Sequence, residues 1–294
     1  MILAFSNLLH HISDHPWPGW QVELFGMRVT LMSSAIATML LVTVLLPVAL
    51  IPLARRWKTV PHGGANAIEV VVVFVRDMIA RPALHGQAGK FLPFLLTLFV
   101  YILALNLIGL VPIDYVAGLA DFHIGGTPTS VLTVCAGLAG ATLLTIIVAG
   151  LRRTAAEWHQ ARGWPMWAAA LASPLLWVAN LSPSIPGLAG AIMRVPISLL
   201  EFVGAVGKCV ALVIRLFANM MSGHVLLGVL MLFVFQAAAA YIQHQAMHVW
   251  YVGPLCIAGS VLVSILELLV AGLQAYIFTF LAAMFLGLYV EAVH

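Results

Sequence analysis

Apolar residues along this chain come in runs too long and too uniform for a water-soluble fold, and the few charges mark where the runs stop. Between Arg28 and Arg55 lie 26 residues without a charge. A helix crossing a bilayer needs about 20, so this stretch predicts a span over 29–54. Pro47 and Pro52 are placed to kink or end it. Between Lys90 and Asp114 come 23 more uncharged residues, and a third run from Thr127 to Leu151 ends at Arg152. Those two form an expected transmembrane hairpin over 91–151. Beyond it, apolar sequence continues from Ala189 to Ala240 and again from Tyr251 to Ala292. Each stretch is about twice what a perpendicular crossing requires. The pattern predicts two long tilted helices over 189–292 rather than four short spans, with a turn at Gly253–Pro254.

Two segments break the rule of plain spans. Ala65 to Arg81 carries an apolar stripe interrupted by Glu69, Arg76 and Asp77, and follows Pro61 and the Gly63–Gly64 pair. It reads as an amphipathic helix over 62–81 lying in the membrane interface. The stretch 164–188 is rich in tryptophan and proline, which favours the headgroup level and forbids one long helix. The predicted fold class is therefore all-α: a polytopic membrane protein with one N-terminal span, an interfacial helix, a hairpin and a long tilted pair. Residues 1–28 form an external N-terminal segment in this reading. No internal repeat is visible.

Composition agrees and removes other classes. Of 294 residues, 63% are hydrophobic and 8% charged, against roughly 25% charged in an average soluble domain. The formal charge of +3 is topological in origin and points to no nucleic-acid partner. Arg55 to Lys90 holds Arg55, Arg56, Lys58, Arg76, Arg81 and Lys90, and Arg152 to Arg162 holds three arginines, whereas Asp114 to Ser130 and Ala237 to Trp250 hold no Lys or Arg. The positive-inside rule then puts the basic segments in the cytoplasm and the N-terminus outside. Met1 to Gly19 lacks a basic region ahead of its apolar start and a small-residue cleavage site, so neither a cleaved signal nor a transit peptide is expected. Cys135, Cys209 and Cys256 lie far apart in apolar runs and form no ligand or disulfide pattern.

The candidate chemistry sits inside the last two runs. Glu201, Lys208, Arg215 and Glu267 are ionisable, and Asn219, His224 and Gln274 accompany them. A charge at mid-bilayer costs at least about 2.5–3.5 kcal/mol, so such residues face a cavity or a partner. At about 100° per residue, Glu201, Lys208 and Arg215, spaced by sevens, share one helix face, and Asn219 joins it. Glu267 and Gln274, also seven apart, share a face of the second helix. His224 falls opposite Arg215 on a straight helix, so either it serves another compartment or the helix bends near Gly223.

Plainer readings compete. Glu201 and Lys208 pair on neighbouring turns; Lys208 snorkels to the interface; Arg215 and Glu267 form an inter-helix ion pair; His224 is a packed histidine. His10, His11, Asp14 and His15, or His244 and His248, supply no complete metal-ligand set. No GxSxG, phosphate-binding loop or GxGxxG stands in a suitable setting, so no cofactor and no catalytic site of the chain's own is expected.

These residues carry a resemblance. The segment 212–224 (LVIRLFANMMSGH) is similar to the signature of the a subunits of rotary F-type ATP synthases. Four further segments agree in order: 66–76 (NAIEVVVVFVR), 91–112 (FLPFLLTLFVYILALNLIGLVP), 127–130 (TPTS) and 266–278 (LELLVAGLQAYIF). The resemblance covers nearly all of the chain after about residue 20 and departs from the family pattern at Cys209 and Ala211. It implies a stator subunit with two offset proton half-channels facing the c-subunit ring of a rotor. It also implies b-type peripheral stalk subunits and lipid as partners, and a bacterial inner membrane or alternatively a mitochondrial one. By the same resemblance Arg215 faces the rotor carboxylate and blocks a proton shunt. His224, Glu267, Asn219 and Gln274 belong to the inlet, Glu201 to the outlet, and Lys208 has a supporting place. A stand-alone transporter or channel and a structural anchor are the rival readings.

Overall fold

In a computed structural model, the structure describes residues 21–24, 27–30, 33–55, 63–110, 128–163, 165, 172–173, 188–242 and 249–290. The architecture is all-α, preceded by one short ribbon. Strands β1 (Gln21–Leu24) and β2 (Met27–Thr30) pair antiparallel, with Glu23 opposite Arg28 and Val22 opposite Val29. Each strand alternates polar and apolar residues, the two-residue period of a ribbon with one apolar face. The first helix among the described residues, α1 (Ser34–Arg55), starts inside the expected 29–54 span. Its start is set chemically: the Ser33 hydroxyl accepts the Ile36 N–H at 3.4 Å, satisfying an orphan donor of the first turn.

The α1 surface shows why it belongs in lipid. Leu40, Val44, Val48 and Ile51, spaced by one turn, are all exposed, and Ala35, Thr38 and Val42 form the buried face. An exposed aliphatic stripe of this kind would be a liability in water.

Gly63, at a positive φ of 65°, makes the turn that opens α2 (Gly64–Phe74). A π-helical turn, Val75–Ala80, continues into the short α3 (Arg81–Leu84). His85, with φ of 39°, and a 3-10 turn to Gln87 break the path before α4 (Ala88–Leu110). After a 3-10 turn at Pro128–Ser130, α5 runs from Leu132 to Arg162. It passes Arg152, where the apolar run stops, because a charge does not end a helix. Arg153 and Glu157 pair one turn apart at 2.7 Å. Gly163, in the left-handed region and donating to the His159 carbonyl, supplies the stop. Most of the 164–188 segment lies outside the described residues, as do residues 1–20, His244 and His248.

The last two elements are α6 (Leu188–Ile242, 55 residues) and α7 (Val249–Val290, 42 residues). At 1.5 Å per residue they extend roughly 80 and 60 Å, so the long-helix alternative holds over four short spans. The turn expected at Gly253–Pro254 is absent. Pro254 sits in the second turn of α7, where its ring costs one backbone hydrogen bond near the end of the element. Among the described residues, five stretches are long and apolar enough to cross a membrane. The chain is a polytopic membrane protein.

The chain forms two compact units. One comprises Met1–Ala67, Leu98–Cys135 and Arg215–Tyr276; the other comprises Ile68–Thr97, Ala136–Ile214 and Ile277–His294. Within the first, the Tyr101 hydroxyl reaches Thr43 Oγ1 at 3.2 Å, and Asn106 Nδ2 donates to the Ala271 carbonyl at 3.3 Å. Within the second, Val75, Ile79, Ala80, Ala83 and Leu84 are buried, as are Ala282, Ala283 and Leu286. Gly287 lies against the Ala83 carbonyl so closely that a Cβ there would overlap the oxygen.

Candidate ion path on the last two helices

Helix α7 is inside-out relative to a water-soluble helix. Leu262 and Leu269 are 69% and 64% exposed, whereas Glu267 is 6% and Gln274 1% exposed. Hydrocarbon outside and polar groups inside is the arrangement lipid selects, since the inside-facing polar groups meet one another rather than acyl chains. Ser260, Glu267, Ala271, Gln274 and Phe278 are all buried at helical spacing, so the polar stripe reads as one face of α7.

On α6 the division runs the other way. Leu212, Leu216 and Met220 make the buried stripe, and Arg215 and Asn219 lie on exposed positions beside it. Asn219 nonetheless reaches α7: its Nδ2 donates to Gln274 Oε1 at 2.8 Å. Among the described residues Arg215 has no carboxylate at ion-pair distance. The inter-helix Arg215–Glu267 pair is not formed, because both Glu267 oxygens are buried without a hydrogen-bond partner. Arg215 therefore holds its charge toward the outside of the chain's own packing.

Glu267 is seated by a glycine. A Cβ built on Gly223 would collide with Glu267 Oε1 and crowd its Cδ and Cγ at 3.0 Å. The missing side chain is the space the carboxyl occupies, and it brings α6 and α7 together at this level. His224, the next residue, is half-buried, with Nε2 enclosed and unpartnered. Helix α6 continues unbroken through Gly223. Arg215 is exposed and His224 half-buried on this continuous helix.

Among the described residues, buried side-chain atoms without a partner concentrate in this one unit: Asn106 Oδ1, Thr129 Oγ1, His224 Nε2, Glu267 Oε1 and Oε2, and Gln274 Nε2, against Arg153 Nη1 alone in the other. Each such atom costs about 1–3 kcal/mol if left unmet, so a run of them is not a packing accident. Asn106, fully buried on α4, is the member that sequence reasoning did not single out. Its signal was there, as a lone carboxamide in an uncharged run of 23 residues. Gly223 was noted only as a possible bend; its contact joins residues 44 positions apart and has no local sequence sign.

Glu201 and Lys208 belong to the other unit. Glu201 lies on α6, with its side chain outside the described residues. Lys208 is exposed, and its Nζ stands 5.2 Å from the centre of the Phe285 ring on α7. Among the described residues no group of three or more His, Cys, Asp and Glu converges as a metal site would require; His10, His11, Asp14 and His15 lie outside them.

A buried carboxyl against a glycine, an outward arginine and an amide pair thus stand on two long apolar helices, and comparison with known proteins says which family the chain belongs to. The profile of the family described as "ATP synthase A chain" matches residues 35–287. The chain belongs to this family. ATP synthase subunit a of Chlorobium phaeobacteroides is 34% identical over 231 residues, which is 79% of this chain and 55% of that protein. ATP synthase subunit a 2 of Prosthecochloris aestuarii is 32% identical over 299 residues, covering 97% of this chain and 79% of that one. The Myxococcus xanthus subunit a is 33% identical over 243 residues, 81% of this chain and 65% of that one. The chain spans about half the length of the Chlorobium protein and of its Chloroherpeton thalassium counterpart, at 55% and 56%. These relatives are bacterial, and the chain is of the bacterial membrane type.

Proposed function

We propose that this chain is the stator subunit that conducts protons past a rotor ring in an ATP synthase, with two offset half-channels and no catalytic site of its own. The observation that carries the reading is an outward Arg215, with no carboxylate at ion-pair distance among the described residues, in the same unit as a run of buried polar groups. A guanidinium keeps its proton above about pH 12 and cannot relay one. It can attract an ionised carboxylate on a passing ring and favour loss of that group's proton. It also repels a proton attempting the direct route between the half-channels. The carboxylate it needs comes from a partner, the c-subunit ring.

The buried run supplies the inlet. Protons enter from outside by His224 and Glu267, with Asn219, Gln274 and Asn106 offering further polar atoms, and reach a rotor carboxylate. After the ring has turned they leave on the cytoplasmic side by way of Glu201. Each charge crossing the full potential yields about 2.3 kcal/mol per 100 mV, which becomes torque only if the shortcut past Arg215 stays closed. In this scheme the chain sits in the bacterial inner membrane with its N-terminus outside, held by b-type peripheral stalk subunits. The interfacial helix 62–81 and the 164–188 segment lie at the surface.

The test is Arg215→Ala in membranes carrying the whole complex, with ATP-driven proton pumping and passive conduction measured beside the unaltered protein. Pumping is expected to vanish while the complex stays assembled. Unimpaired pumping would reduce Arg215 to a structural charge and end the stator reading.

A further inference from the structure

We propose that Phe285 is a positioning residue for Lys208, and that the ammonium so held is a fixed second positive charge for the rotor carboxylate on the outlet side. The inference rests on the stator reading and adds a site to it.

A lysine on an exposed helix position ordinarily takes its flexible four-carbon stem toward the nearest water. Lys208 does otherwise: its Nζ lies 5.2 Å from the Phe285 ring centre, inside the roughly 6 Å range in which the negative face of an aromatic ring attracts a cation. The ring is itself held. Ala282, Ala283 and Leu286, its neighbours on α7, are buried, and Gly287 is pressed against the Ala83 carbonyl. That close approach fixes the last turns of α7 on the α3 segment, and the Phe285 ring is carried with them. Lys208 thus has a defined place although it is exposed.

The sequence places Lys208 seven residues before Arg215 and seven after Glu201, on the heptad that carries both. An ammonium at this position attracts an ionised carboxylate and favours proton loss from it, as Arg215 does, before the carboxylate reaches the arginine. No bond forms or breaks at Lys208; its part is to keep a charge where a mobile side chain would not.

The experiment is a double-substitution cycle in the assembled complex, scored by ATP-driven pumping per assembled complex. Phe285→Leu and Lys208→Gln are each expected to lower the rate about two- to fivefold, the range an exposed cation–ring contact spans when converted to a rate. The double variant should be no slower than the slower single one. Phe285→Tyr, which keeps the ring, and Lys208→Arg, which keeps the charge, should retain most of the rate. The proposal is overturned if Phe285→Leu pumps normally, if the two losses multiply, or if Phe285→Tyr fails as Phe285→Leu does. Failure of the stator reading shows separately, as normal pumping by Arg215→Ala.

Discussion

Gly223 decides how the Glu267 carboxyl is held, and it does so by having no side chain. Glu267 Oε1 occupies the place of its Cβ, so even a methyl group must displace either the carboxyl or the helix. Overpacking of this sort costs about 1–3 kcal/mol, and on the proposed proton path a displaced Glu267 carboxyl would convert that cost into rate. Gly223→Ala is expected to lower ATP-driven pumping by roughly tenfold with assembly maintained. A shorter acid should relieve the clash: Gly223→Ala combined with Glu267→Asp should pump faster than Gly223→Ala alone. If the combination is no better, the contact is incidental and Glu267 is placed by something else. Nothing in the sequence at 223 announces this, because the partner lies on another helix. Glu267 itself was legible, since a carboxyl in the middle of an apolar run needs a reason to be there.

At the scale of elements, the sequence was most informative where runs were long. The lengths of α6 and α7 follow from long apolar stretches with only isolated charges, and their polar faces from spacings of seven. Where an element depends on geometry rather than on periodicity, less was visible. The α5 extension to Arg162 is set by an exposed ion pair and the Gly163 cap, and both come after the hydropathy signal has ended. The proline at 254 ordinarily signals a break, but near a helix start it removes only one bond. The ribbon at 21–30 carried an alternating pattern, but one too short to stand out from an external segment. The tie between α4 and α7 is of the same hidden kind. Asn106 donates to the Ala271 carbonyl and leaves Oδ1 enclosed and unpartnered. Asn106→Leu removes a bond worth about 0.5–1.5 kcal/mol and fills the volume, so assembly should be close to normal. Pumping should nonetheless fall several-fold if the carboxamide serves the path. Equal pumping at equal assembly would make Asn106 a helix tie only.

For the whole molecule, lipid is the solvent that reconciles the surface with the interior. Leu255 at 73% and Leu200 at 73% exposure are unremarkable beside acyl chains, and the same environment forces Glu267 and Gln274 inward. Arg215, like Lys208 on the same helix, is an exception on that surface, a charged residue on an exposed position, where lipid offers it no partner. Which end of each span faces which compartment is a separate matter, governed by insertion rather than packing. The segment with Arg55, Arg56 and Lys58 is strongly basic, whereas the stretch from Asp114 to Ser130 carries no Lys or Arg. Because basic residues resist translocation, the first should stay in the cytoplasm and the second should cross. With Cys135, Cys209 and Cys256 replaced by serine, a cysteine introduced as Lys58→Cys should react with a membrane-impermeant maleimide only from the cytoplasmic side. One introduced as Asp121→Cys should react only from outside. The two labels are independent, and inverted vesicles against intact cells give each its own control. A reversed pair would place Glu267 and His224 on the path toward the cytoplasm and exchange inlet for outlet. Labelling of both sites from one side would mean an even number of crossings between them, which α2 to α4 could supply only if the 62–81 helix were itself a span.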